Sequence, residues 1–200
     1  MITQYDWKFS EVSNKRIDAT NGWYYWYIDW KSVNISQLNS ASERLEVIQR
    51  IISFYTEHFL SSTLKNSEQQ FGLEYNNIQF KINLRETFSK EERHLKVISE
   101  SSDQFMTWLE LLTLLKIPIY FGMSTTLEAR LGQHIKSLSE GKGSNEDFGR
   151  RFIQRMEEMK LRKILLPMNL RVVILTIQNS ETSAIERLTN IILKPINGIK

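Results

Sequence analysis

Apolar positions recur along the chain with two spacings, and the switches between them mark its elements. "GWYYWYIDW" (22–30) follows the turn signal Asn21-Gly22 and reads as an aromatic strand. Over 40–60, Leu45, Ile48, Ile51, Ile52, Tyr55 and Phe59 repeat at helical spacing, with Ser40 and Glu43 placed to form a capping box. "NIQFKINL" (77–84) alternates, with Ile78, Phe80, Ile82 and Leu84 on one face, so a half-buried strand is expected. Helices are expected near 90–99 and 102–115, then a short buried strand "IPIYFG" with Pro118 near its start, where the missing N–H costs least. A helix over about 125–139, stopping near Gly141, a basic helix (150–163), a strand "LRVVILTI" (170–177) and a last helix (181–193) complete the order. Strands and helices mix without a repeating βα unit. The expected class is therefore α+β, with a small central mixed or antiparallel sheet flanked by helices.

Composition narrows the chemistry. Two hundred residues, 41% hydrophobic and 24% charged, suit one soluble domain with room for a sizeable insertion. The chain has no cysteine, which excludes disulfides and thiolate catalysis, and its three histidines are too scattered for a zinc site. A catalytic metal would be a hard cation held by carboxylate and water. The net charge of +3 permits a polyanionic partner without requiring one. "MITQYDWKFS" lacks the pattern of a secretory signal, and the most apolar window, "WLELLTLLKIPIYFG", is too short and too charged to span a bilayer. A cytoplasmic protein without a membrane segment is expected.

The segment "PIYFGMSTTLEARLGQHI" (118–135) concentrates reactive side chains. Thr125 and Glu128 are placed to cap its helix, and Leu127, Leu131, Ile135 and Leu138 fall on one buried stripe. Arg130 and His134 flank that stripe one turn apart. Tyr120 projects toward the same side, and Gly122 would let the backbone turn between strand and helix. A phenol, a guanidinium and an imidazole thus converge, and a guanidinium fork suits phosphate. The plainer alternative makes Tyr120 a core residue, Arg130 a surface charge and His134 a satisfied edge residue.

"IYFGMSTTLEARLGQHI" resembles the second motif of the GIY-YIG nuclease family: Tyr-x-Gly, a polar turn, an arginine ten residues after the tyrosine and a histidine four beyond it. "AIERLTNIILKPING" (184–198) resembles the last block of that family, giving Glu186, Lys194, Pro195 and Asn197. The first block departs from the pattern. "MTWLELLTLL", where Gly-Ile-Tyr would stand, has neither glycine nor tyrosine, and Gly22 and Tyr24 of "NGWYY" take those roles instead. Tyr25 and Tyr27 compete for the first tyrosine, with Tyr25 expected on the face opposite Tyr24 and Tyr27. Met123 stands where some members carry lysine. The resemblance implies a GIY-YIG-like catalytic domain from 1–30 and 116–200, with 31–115 as a mainly helical inserted subdomain for target recognition or dimerisation.

The implied reaction is Mg²⁺-dependent hydrolysis of DNA phosphodiester bonds, with Mn²⁺ as a substitute and a restriction or defence role. Glu186 would be the metal's protein ligand. Arg130 would stabilise charge on the phosphate, Tyr24 or Tyr120 would activate or orient water with help from His134, and Asn197 would hold a tyrosine. By their own chemistry, Arg150, Arg151, Arg155, Lys160, Arg162 and Lys163 offer a surface for the DNA backbone, or else one side of a solvated amphipathic helix. Trp23, Tyr25, Trp26 and Trp30 suit base stacking or, more simply, a core strand. The alternative to a nuclease is an inactive GIY-YIG-like module that binds nucleic acid or another partner. An unrelated α+β protein is the third reading.

Overall fold

Four strands and six helices form among the residues described in the computed structural model, which are 2–17, 22–66, 90–141 and 147–177. The expected strand at 77–84 and helix at 181–193 lie outside them. The class is α+β, and the sheet is wholly antiparallel, in the order β1-β4-β2-β3. Its strands are β1 (Ile2–Lys8), β2 (Gly22–Ile28), β3 (Pro118–Ser124) and β4 (Leu170–Ile177). Among the described residues no helix is long and apolar enough to cross a membrane.

The chain divides into two compact units, Met1–Val33 with Leu111–Lys200, and Asn34–Glu110. In the first, β2 lies between β4 and β3, and pairing sets Tyr24 opposite both Ile174 and Gly122, and Trp26 opposite Val172 and Tyr120. Alternation along β2 turns Tyr24, Trp26 and Ile28 to one face, all but sealed from solvent. Against that face pack α1 (Phe9–Val12), α5 (Leu127–Glu140) and α6 (Phe148–Glu158), with the rings of Phe9 and Phe148 on Trp26. Trp23, Trp26 and Trp30 are buried, so they belong to the core and are not a stacking surface. Tyr27 shares the face of Tyr25, with ring centroids 6.3 Å apart, which corrects its expected placement beside Tyr24.

β1 is an element the hydrophobic pattern does not announce. Its Tyr5 and Trp7 pair opposite Ile174 and Val172, while Asp6 faces the other way into an ionic network. The Asp6 carboxylate accepts from Lys116 Nζ at 2.7 Å, Arg171 Nε at 3.0 Å and the Tyr27 hydroxyl at 3.1 Å. Burial works against the carboxylate, but these donors hold it below the ordinary carboxyl range.

In the second unit, α2 (Ala41–Asn66) opens with the expected reciprocal cap: Ser40 N donates to Glu43 at 2.9 Å, and Glu43 N donates to Ser40 Oγ at 3.2 Å. Its buried stripe is Val47, Ile48, Ile51 and Phe54. Leu45, Ile52 and Tyr55 are only half-buried, and the Phe59 side chain lies outside the described residues. α3 (Glu92–Glu100) packs on α2, where the Arg44 guanidinium donates to the carbonyls of Ser99 (2.6 Å) and Glu100 (3.2 Å) and satisfies the α3 terminus. α4 runs from Ser102 to Leu115, with Phe105 and Leu109 buried, and its residues from Leu111 onward belong to the first unit.

Two further expectations are corrected. The helix after β3 starts from Thr126, whose side chain makes no capping bond, so the Thr125–Glu128 box does not form; Ser124 Oγ instead accepts from Thr126 N at 3.0 Å. The basic helix ends at Glu158, because Lys160 sits at a φ of 53°, a left-handed conformation incompatible with helix continuation.

Candidate active site

Tyr24 enters the site because its neighbour across the sheet has no side chain. A Cβ at Gly122 would lie 2.7 Å from the Tyr24 hydroxyl oxygen and 2.8 Å from its Cζ, so the phenol lies over the glycine backbone. Gly122 is thus required for close approach within a strand, and not for the expected turn. Gly22 has a similar function: a Cβ there would meet the Leu175 carbonyl oxygen at 2.4 Å, where β2 pairs with β4.

From that position the Tyr24 hydroxyl reaches Nε2 of His134 on α5, at 2.8 Å. Tyr120 joins from β3, its ring centroid 5.9 Å from Tyr24 and 5.1 Å from His134, edge-on to the imidazole. Phe148 of α6 closes the cluster, 4.6 Å from Tyr120 and 5.4 Å from His134. His134 and Tyr24 are fully buried and Tyr120 nearly so, at 7% exposure. Arg130 is half-buried, interacts with both phenols, and donates through Nη1 to Gln133 Oε1 at 3.0 Å.

Burial and neighbouring charge set the protonation states. Burial raises the Tyr24 phenol well above its ordinary value, Tyr120 adds to the rise, and Arg130 opposes it. Burial also drives the His134 imidazole down to about 3, helped by the positive charges of Arg130 and Arg151, so at neutral pH the ring is uncharged. Burial works against the Arg130 guanidinium too, but the two phenols outweigh it and hold the group above its ordinary value.

The structure therefore gathers Tyr24, Tyr120, Arg130 and His134, from β2, β3 and α5, beside Gly122, while Gly22 lies against Leu175, Thr176 and Leu127 instead. Tyr25 and Tyr27 lie on the opposite face of the sheet. Arg130 and His134 do not share a surface: the histidine is sealed behind Tyr24, and only the arginine keeps exposed area. Glu186 and Asn197 lie outside the described residues. Among the described residues no group of three or more histidines or carboxylates converges as a metal cage. A hard cation held by one carboxylate, water and phosphate needs none.

Of the basic residues, Arg150, Lys160, Arg162 and Lys163 are exposed, whereas Arg151 and Arg155 are half-buried. Arg155 lies 3.3 Å from Glu158, and Arg162 pairs with Glu157. Comparison of the chain with models of known families, with curated proteins and with solved structures finds no match.

Phe148 and Asp147 belong to this site although the sequence reading starts their helix at 150. The signal is present in "EDFGRR", where an aspartate precedes the first apolar helical residue. Asp147 caps α6, accepting from Gly149 N at 3.4 Å.

Proposed function

We propose that the chain is a metal-dependent endonuclease that hydrolyses DNA phosphodiester bonds, with a catalytic unit of the GIY-YIG kind and a restriction or defence role. The observation that carries this reading is the convergence of Tyr24, Tyr120, Arg130 and His134 from two paired strands and one helix, with Tyr24 and His134 in hydrogen-bond contact across 110 residues of sequence. Two phenols beside a guanidinium suit a reaction in which water loses a proton as negative charge grows on phosphate.

In this reading Arg130, which is half-buried where the other three are buried, meets the phosphate. Tyr120 and Tyr24 orient the attacking water and take up its proton, and His134, uncharged, offers a nitrogen to the phenol pair. Bound Mg²⁺, or Mn²⁺, would polarise the phosphate, with Glu186 as its protein ligand. Asn197 would steady a tyrosine. Arg150, Lys160, Arg162 and Lys163 would contact the DNA backbone, Arg151 and Arg155 contributing from their half-buried positions.

One observation favours a second reading. Tyr24 and His134 have no exposed area, as suits a module that binds nucleic acid without cutting it. Nicking of supercoiled plasmid in Mg²⁺ or Mn²⁺, with wild type beside Arg130→Ala and Glu186→Ala, separates the two. Cleavage by wild type and its loss in both folded variants supports the nuclease. DNA affinity without cleavage on plain, modified and branched substrates selects the binding module, and undiminished variants sink the site.

A further inference from the structure

His134 presents two ring nitrogens, and only one is engaged. Nε2 meets the Tyr24 hydroxyl at 2.8 Å, whereas Nδ1 is buried with no hydrogen-bond partner among the described residues. A neutral imidazole carries one proton, and the partner of one nitrogen decides the role of the other. Arg130 and Arg151, the cations whose charge reaches the ring, have no acceptor to offer Nδ1. Asp147 does: its Oδ1 stands 3.8 Å from Nδ1.

That carboxylate is held where it stands. Oδ1 accepts from Ser137 Oγ at 2.9 Å, a hydroxyl that also lies 3.1 Å from the His134 carbonyl oxygen, and from Gly149 N at 3.4 Å. The approach of α6 to α5 depends on Gly149, since a Cβ there would fall 2.1 Å from Ser137 Oγ and 2.6 Å from Leu138 N. The remaining gap to Nδ1 exceeds a hydrogen bond by about 1 Å, yet at 3.8 Å in a buried site the fixed carboxylate charge still favours a proton on the nitrogen that faces it.

We infer that Asp147 is a positioning residue that keeps the proton of His134 on Nδ1, leaving Nε2 as the acceptor of the Tyr24 phenolic proton. The four side chains then stand in line, Asp147 at Nδ1, His134, Tyr24 at Nε2 and Arg130 beside the phenols, with the phenolic proton directed at Nε2. Its relevance to catalysis rests on the nuclease reading above. There, as a proton from the attacking water enters the phenol pair, the Tyr24 O–H bond breaks and an Nε2–H bond forms. The pair's proton count is unchanged, and His134 returns its proton through Tyr24 once the phenols discharge to solvent or to the departing alcohol. With the proton on Nε2 instead, the histidine would only donate to Tyr24 and could take nothing from it.

Long-range ¹⁵N–¹H spectra of the imidazoles in the full chain distinguish the tautomers, whether or not the protein cuts DNA. In wild type the His134 signals are expected to show Nδ1 protonated and Nε2 bare. Asp147→Ser keeps a capping hydroxyl on α6 but withdraws the charge, and should move the tautomer ratio toward Nε2–H by about tenfold, the size of one hydrogen bond to a charged group. Asp147→Asn, which preserves the cap and most of the shape, should move it less in the same direction. A wild-type ring protonated on Nε2, or a ratio unmoved in both folded variants, overturns the inference. Plasmid nicking is read separately: nuclease activity with an unmoved ratio rejects the role of Asp147 alone, and the expected ratio without nicking rejects the nuclease reading while Asp147 keeps its place.

Discussion

The hydroxyl of Tyr24 and Nε2 of His134 meet at 2.8 Å in a region neither shares with solvent. Such a hydrogen bond contributes only modestly when formed, because folding exchanges it for bonds to water, but removing one partner leaves the other buried and unsatisfied. Tyr24→Phe is therefore expected to lower stability by about 1–2 kcal/mol. Tyr25→Phe, half-buried on the opposite face, should change it by less than about 0.5 kcal/mol. Urea unfolding with unchanged m-values measures both, and equal effects would show that the buried pair contributes nothing particular.

Two glycines of this unit should respond to alanine in opposite directions. At Gly122 the new methyl would lie 2.7 Å from the Tyr24 hydroxyl, and the tyrosine must leave its place or the strands must part. A decrease of about 1–3 kcal/mol is expected, as for other overpacked cores, with changed signals from the Tyr24 and His134 rings. Gly132 lies in α5 with nothing within 4 Å of the same methyl, and Gly132→Ala should stabilise by about 0.5–1 kcal/mol. Thermal unfolding of the two variants checks the contrast.

Local pattern makes most of this fold legible. β2, β3, β4 and the helices near 90–99 and 102–115 follow from runs and spacings that each segment carries within itself. β1 escapes because its polar positions serve the sheet: Asp6 reads as a break in an apolar run, yet it anchors Lys116, Arg171 and Tyr27. The function of Gly122 is equally hidden. Glycine between strand and helix suggests a turn, and only the pairing with Tyr24 shows that the space above it is filled by a ring from a strand nearly 100 residues away in the chain. Helical geometry places Arg130 and His134 together but does not reveal that Phe148 and Tyr24 enclose the second and leave the first at the surface.

On the nuclease reading proposed above, the salt dependence of DNA binding should rank the basic residues by exposure. Removing one cation that neutralises a phosphate reduces the slope of log K against log salt by about 1. Arg150→Ala and Lys163→Ala, both exposed, are expected to lower affinity and slope together on any DNA sequence. Arg155→Ala, half-buried beside Glu158, should cost stability more than slope. Titrations at several salt concentrations check this, and an unchanged slope in the exposed variants would move the DNA elsewhere on the surface.

Stability should fall on mild acidification, and His134 fixes the sign. An unfolded histidine takes up its proton near pH 6.5, whereas the folded ring resists it down to about 3. Between those values the unfolded state binds more protons, so stability is greatest above the unfolded value and declines as pH falls. The groups facing the ring act in both directions: Arg130 and Arg151 hold it neutral, Asp147 favours its charged form, and the rings of Tyr24 and Tyr120 complete its enclosure. At pH 5 the expected decrease relative to pH 7 is about 2 kcal/mol from this residue alone. His134→Gln has no proton to gain, and its stability should therefore change less over the same interval by that amount. Denaturant unfolding of both proteins at pH 7 and pH 5 measures the difference. Parallel decreases would mean that His134 is protonated in the folded protein at pH 5, with its charge accommodated by Asp147.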